Sequence, residues 1–244
     1  MKTQKNKIKF KCLVVIPARG GSKGIKNKNI RILAGKPLIF YTIREAKNAK
    51  LVDKVIVSTD SPQIKKIAQA LKADVPFLRP FSLAKDTTPM YPVIRHALEY
   101  LNNRGDKFDA VIILQPTSPL RSAEDIDKAI LSLVNSGVDS LVSVCLAKHS
   151  PYWMKVIKNG KLFPLMGSNN SMRRQDLPKV YMPNGAIYAT RAKVILKDKK
   201  ILGSKVIPFI MEEEKSVDVD SLMDLHLAEL LLKQRHEKRN SYRK

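Results

Sequence analysis

Residues 12–29 read CLVVIPARGGSKGIKNKN, and the meaning of this stretch decides the fold. Cys12 to Ile16 is an unbroken apolar run, the pattern of a strand buried on both faces of a parallel sheet. Pro17 has no N–H to give to a ladder, so the strand is expected to end there. Gly20, Gly21 and Gly24 follow; they let the backbone turn sharply and present consecutive N–H groups. Arg19, Lys23, Lys26, Lys28 and Arg31 interleave with them, and no Asp or Glu occurs before Glu45. A strand that opens into an acid-free, basic, glycine-rich loop suits phosphate groups. The spacing matches neither common phosphate loop. The residue five after Gly20 is Ile25, where a P-loop needs Gly, and the residue two before Gly21 is Arg19, where a dinucleotide fingerprint needs Gly. The plainer alternative is a βα turn whose cations are solvated.

Working outward, helical and strand periods alternate. Pro37 stands where a first helical residue would, and Leu38, Tyr41, Ala46 and Ala49 follow at helical spacing. Lys54 to Ser58 is a short β-branched strand, and Ser61-Pro62 is a helix N-cap and first turn ahead of Ile64, Ile67 and Leu71. Val75 to Leu78 reads as a further short strand. A longer helix follows with Val93, Ile94, Ala97, Leu98 and Leu101 on one face, then a strand from Ala110 to Leu114. Ser122 and Asp125 have capping-box spacing before Ile126, Ala129, Ile130 and Leu133, and Asp139 to Cys145 is another buried-type strand. This order implies an α/β fold: a Rossmann-like, mostly parallel sheet flanked by helices. From His149 to Arg174, Trp153, Gly160, Gly167 and Asn169-Asn170 mark a protruding, hairpin-rich excursion, expected at about 148–180 as a lid or dimer contact. Gly185–Ala189 and Val206–Ile210 return as strands, and a helix from about Leu222 closes a single domain spanning 1–244.

In such sheets ligands sit at the carboxyl ends of the strands. Three loops qualify: Arg19 to Asn29, Leu78 to Thr88, and Gln115 to Arg121. The last reads QPTSPLR, where two prolines stiffen a turn and Gln115, Thr117 and Ser118 present donors and acceptors. Near the far end, SVDVD places Asp218 and Asp220 in alternation on an extended segment, which turns both carboxylates to one side. Mg²⁺ suits such a pair, because it keeps waters and takes other ligands from substrate phosphates. Solvated acids on an edge strand are the alternative reading.

Composition narrows the partners. The formal net charge is +23, a field that recruits anions. The excess is spread along the chain, and aromatic residues do not interleave with it, so the stacking platform of a nucleic-acid binder is missing. Cys12 and Cys145 sit in apolar runs and read as core thiols of a reducing compartment, with a cytoplasmic location expected. The apolar run after the basic first residues is too short for a membrane span and lacks a cleavage signature.

Taken together, ARGGSKG, KNKN, VSTD, LRP, LQPTSPLR, PNGAIY and SVDVD occur in the order that resembles the CMP-sialate synthetases, cytidylyltransferases that activate nine-carbon acidic sugars. The resemblance runs from about Leu13 to Leu230; CMP-Kdo synthetases are similar in fold but share fewer of these words. It implies CTP and an acidic sugar as substrates, Mg²⁺ as cofactor, and a homodimer made through the excursion. It implies Arg19, Ser22, Lys23, Lys28, Asn29 and Arg79 as CTP-binding residues, with Arg19, Lys23 and Lys28 catalytic through the leaving pyrophosphate. Gln115 would reach between nucleotide and sugar, Arg174 and Asn184 would hold the sugar, and Asp218 and Asp220 the metal. A second arginine for the sugar carboxylate would fall at position 182, which is Met182 here, so legionaminic or pseudaminic acid is expected rather than N-acetylneuraminate. The reaction implied is attack of the anomeric hydroxyl on the α-phosphorus of CTP. None of His96, His149, His226 and His236 stands out as a general base. The rival classes are another nucleotide-sugar pyrophosphorylase and a basic nucleic-acid-binding protein.

Overall fold

The computed structural model describes residues 10–21, 24–166 and 173–241. In chain order they form β1 (Cys12–Pro17), β2 (Ile32–Leu33), β3 (Lys36–Pro37), α1 (Leu38–Asn48), β4 (Lys54–Ser58), α2 (Pro62–Ala70), α3 (Met90–Asn102) and β5 (Ala110–Ile113). Then come α4 (Ala123–Ser136), β6 (Ser140–Leu146), β7 (Lys155–Lys158), β8 (Lys161–Pro164), β9 (Tyr181–Arg191), β10 (Val206–Ile210) and α5 (Leu222–Ser241). The central sheet has six strands in the order β10-β6-β9-β5-β1-β4. β1 pairs in parallel with both β4 and β5, β10 with β6, and β9 alone runs antiparallel to its neighbours β5 and β6. That reversal matters for the site, because it brings the N-terminal end of β9 to the edge where the parallel strands end.

The strand at the centre of the sequence reading is fully enclosed. Cys12, Val14 and Ile16 face one core with Ile39 and Ile43 of α1, Ile64 of α2, and Ile126 and Ile130 of α4. Leu13 and Val15 face the other with Ile94, Leu98 and Leu101 of α3. Period-two side chains on a two-faced strand explain why no polar residue interrupts the run. The ladder runs one residue further than expected: Pro17 pairs opposite Ser58, at the last position, where a missing donor costs least.

The helix starts follow their caps. Ser61 accepts a hydrogen bond from Ile64 N at the head of α2, and Ser122 and Asp125 form a reciprocal capping box on α4. Pro37 is the N-cap of α1 rather than its first residue. Val75–Leu78 is not a strand. It contributes one isolated bridge beside β4, Thr59 with Leu78, next to that of Ile56 with Asp74 just before it, because Pro76 has no N–H to continue a ladder. The excursion is a β7–β8 hairpin paired from Lys155–Pro164 to Lys158–Lys161. Cys12 and Cys145 are both buried, and no helix among the described residues is long and apolar enough to cross a membrane.

A third core cluster positions the functional loops. Ile25 of the glycine-rich loop, Leu120 of the QPTSPLR loop and Val219 of the SVDVD segment pack with Leu225, Ala228 and Leu232 of α5. Three segments distant in sequence thus share one hydrophobic anchor.

Candidate active site

At the carboxyl ends of β1, β4 and β5 lies a cavity of about 250 Å³, whose lining includes Arg19, Lys28, Asn29, Arg79, Gln115 and Thr117. Asn29 is buried and donates from Nδ2 to the Arg19 carbonyl at 2.9 Å; it closes the loop on itself. Arg79 is only 6% exposed. Its Nε donates to Ser58 Oγ at 3.1 Å and its Nη2 to the Ser58 carbonyl. Burial pulls this guanidinium down to about 10, with Arg19 acting the same way and Asp60 against it, so it stays a cation at neutral pH.

The basic loop is acid-free in sequence but not in space. Asp60 Oδ1 accepts from Gly20 N at 3.0 Å, Asp86 pairs with Arg19, and Asp220 Oδ1 takes Lys28 Nζ at 2.7 Å. Three carboxylates from three other segments therefore hold the loop and its cations in place. Ser22 and Lys23 lie outside the described residues, as does the side chain of Arg174.

Gln115 is set by a residue that sequence reasoning passed over. Arg121, 2% exposed, donates to the Ala186 carbonyl at 2.6 Å, to Thr42 Oγ1 at 2.8 Å and to the Gln115 carbonyl at 3.4 Å. It clamps the QPTSPLR turn to β9 and α1. Burial pulls it down to about 10 against the attraction of Glu45 and Asp125. As the one charged residue in that motif it was the visible signal.

The SVDVD segment crosses this turn as a strap. Val219 N donates to the Thr117 carbonyl at 2.8 Å, and Lys215 Nζ reaches Asp125 Oδ1 at 3.0 Å. Asn184, expected to touch a sugar, is instead 3% exposed, and its amide is used internally. Oδ1 accepts from Ser143 Oγ at 2.6 Å and Ala186 N at 3.2 Å, while Nδ2 donates to Ser216 Oγ at 2.8 Å. A buried amide with its bonds met in this way tethers the strap to β9.

The two acids of the strap have unlike surroundings. Asp220 has a side chain 73% exposed beside Lys28. Asp218 is turned inward, and its Oδ1 is buried without a hydrogen-bond partner. Burial raises its carboxyl above the ordinary carboxylate range, opposed by the Thr117 hydroxyl and Lys28 and reinforced by Asp220 and Asp224. An orphaned carboxylate oxygen is costly unless a cation or donor meets it. Among the described residues no three His, Cys, Asp or Glu side chains cluster to cage an ion. The unpartnered Asp218 oxygen fits one ligand of a hard divalent cation that would bring waters and phosphate oxygens as its others.

A second cavity, of about 720 Å³, begins at Asp218 and is walled by Met154, Met182 and Leu227 among others. Gln115, on the wall of the first cavity, and Asp218, on the wall of the second, both come close to Gly185. Its φ is +71°, and a Cβ there would stand 3.3 Å from Gln115 Oε1 and 3.4 Å from Asp218 Oδ2. The left-handed backbone is what calls for glycine here.

A cation-lined hollow at the ends of parallel strands, beside two late carboxylates, has the parts of a nucleotidyl-transfer site. The sequence profile described as cytidylyltransferase matches residues 13–224; the chain belongs to this family, whose members are nucleotidyltransferases. It is 38% identical over 229 residues, 92% of this chain and 96% of the relative, to a post-translational flagellin modification protein B of Campylobacter coli. It is 36% identical over 231 residues, 93% of this chain and 99% of the relative, to a CMP-N,N'-diacetyllegionaminic acid synthase of Legionella pneumophila. A CMP:2-keto-3-deoxy-manno-octonic acid synthetase complexed with CTP superimposes with a TM-score of 0.69 over 92% of this chain and 99% of that one, at 19% identity. That last likeness is one of fold.

Proposed function

We propose that this protein transfers CMP from CTP to the anomeric hydroxyl of a nine-carbon 2-keto sugar acid, an N-acylneuraminate or legionaminate-like acid, and releases pyrophosphate. The observation that carries the reading is that Gln115, on the wall of the cation-lined hollow, and Asp218, on the wall of the second cavity, approach the same point at Gly185. The family and the relative named for CMP-N,N'-diacetyllegionaminic acid support it.

Phosphoryl transfer depends on positioning and on stabilising charge spread over phosphoryl oxygens. Arg19, Lys28 and Arg79 supply fixed positive charge around the triphosphate, and their internal carboxylates hold the first two oriented until an anion replaces them. Gln115 spans nucleotide and acid beside Gly185. Asp218 and Asp220 would hold Mg²⁺, which when bound neutralises phosphate charge and lowers the pKa of a coordinated hydroxyl. Mg²⁺ dependence, a homodimer through the excursion and a cytoplasmic location belong to the same reading. They are supported by the orphaned Asp218 oxygen, by exposed Trp153, Ile157, Leu162 and Phe163 on or beside the hairpin, and by two cysteines buried in the core.

The test is pyrophosphate release from CTP with a panel of sialic, legionaminic, pseudaminic and Kdo acids. Release with a nine-carbon acid and not with Kdo is expected. Release only with Kdo, or with no acid, would overturn the proposal.

A further inference from the structure

This inference rests on the reading just given and concerns how the nucleotide hollow holds its buried cation, Arg79. Ser58 holds the guanidinium at its head, and Arg79 N donates to the Thr59 carbonyl at 2.7 Å. The residues leading into Arg79 have less sheet to lean on. Pro76 has no N–H, and no bridge joins 75–77 to β4. Helix α3 supplies the missing restraint. Tyr100 Oη donates to the Pro76 carbonyl at 2.8 Å. The buried Phe77 ring meets His96 edge to face, with centroids 4.6 Å apart, and lies 4.8 Å from the Tyr100 ring. The same helix reaches the hollow through Met90 and Val93, and His96 follows Val93 by three residues, as its neighbour on the helix surface. His96 Nδ1 is buried with no hydrogen-bond partner, so the ring, not that nitrogen, makes the contact. Burial and the Arg79 charge hold His96 below its ordinary value, with Glu99 opposing. The ring is therefore uncharged at neutral pH and sets no second cation against Arg79.

We infer that His96 and Tyr100 are positioning residues: acting through Phe77 and Pro76, they fix the stretch that aims Arg79 into the hollow, and so set the affinity for the nucleoside triphosphate. Neither is on the wall of the hollow itself. An edge-to-face ring contact is worth up to about tenfold in an equilibrium constant. A hydrogen bond between neutral groups is worth about fivefold. These two figures bound what each residue contributes through Arg79.

The experiment measures the dissociation constant of CTP with Mg²⁺ by calorimetry, for the full chain and for His96→Ala, His96→Phe and Tyr100→Phe, each also in an Arg79→Met background. Arg79→Met keeps Arg19 and Lys28, so CTP still binds. His96→Ala should weaken CTP by about tenfold and Tyr100→Phe by about fivefold. His96→Phe keeps a ring against Phe77 and should stay within about threefold of wild type. In the Arg79→Met background each loss should shrink below about twofold, because no guanidinium is left to aim. Equal losses in both backgrounds would overturn the inference, since α3 would then act on the fold at large. Unchanged affinity in both His96→Ala and Tyr100→Phe would overturn it too. Should His96→Ala fail to fold, Tyr100→Phe, which removes one hydroxyl, carries the comparison alone. CTP binding with no coupling of α3 to Arg79 would defeat this inference and leave the cytidylyl-transfer reading standing. A wild type that binds no CTP would defeat both.

Discussion

Substituting Gly24 by alanine tests whether the spacing between the glycine-rich loop and the acidic strap controls turnover. The φ of Gly24 lies outside the left-handed region, so alanine brings no conformational strain there; the difficulty is one neighbour. A Cβ on Gly24 would stand 2.6 Å from the Asp220 carbonyl oxygen, and ordinary contact begins at 3.4 Å, a shortfall of 0.8 Å. The obstructing atom is backbone and cannot rotate away. The strap is pinned on its other side, where Val219 N meets the Thr117 carbonyl at 2.8 Å, so the loop must move. Lys28, four residues on, then loses its 2.7 Å contact with Asp220, and phosphate cations and acids drift apart. Misplacement of reacting groups by nearly 1 Å costs up to about 100-fold in rate, so kcat should fall about 30- to 100-fold. Gly24 is a loop residue outside the core, so Tm should drop by no more than about 4 °C. Pyrophosphate release and a circular-dichroism melt on the same preparation give both quantities. A kcat within about threefold of wild type would refute the argument that the loop and strap work as one unit.

Lys28→Ala should lower turnover at least about 100-fold, the scale of one lost oxyanion contact. Its melt should stay close to wild type, because the Lys28–Asp220 pair is largely solvent-facing on the acid side. Asp220→Asn should raise the Mg²⁺ concentration for half-maximal turnover at least about tenfold; an unchanged metal titration would discredit the paired acids. Lys215→Met should destabilise the fold in a pH-dependent way. Burial pushes the Asp125 carboxyl up, but hydrogen bonds from Ser122 and Lys215 outweigh it and hold the group below its ordinary value. A depressed folded value contributes stability above the ordinary Asp pKa of about 3.9, and loses it as pH falls through the folded value. The difference in denaturation midpoint between wild type and Lys215→Met should therefore be full at neutral pH and shrink below about pH 4. A difference constant from pH 7 to pH 3 would refute the ion-pair account.

Most of the scaffold was legible in the sequence because it depends on periodicity and caps, which are local. The Cys12–Ile16 run, the Ser61 cap and the Ser122–Asp125 box each state their structure within a few residues. Val75–Leu78 was misread because its β-like composition hides a Pro76 that breaks the ladder. The internal role of Asn184 was not legible for a different reason. Its role depends on Ser143 and Ser216, which are 41 and 32 residues away, and no local pattern carries that information.

From the order of its residues alone, this chain specifies an α/β scaffold, a basic turn after the first strand and two late acids, since hydrophobic period and backbone chemistry act over short range. Only folding decides which groups meet. Reversal of β9 carries Met182, Asn184 and Gly185 to the functional edge. The packing of Ile25, Leu120 and Val219 on α5 gathers three loops into one anchor. Asp60, Asp86 and Asp220 come from three other segments to neutralise a loop that has no acid of its own. Electrostatic and steric contacts act through space, so their partners are fixed by the sheet order rather than by the spacing of residues along the chain.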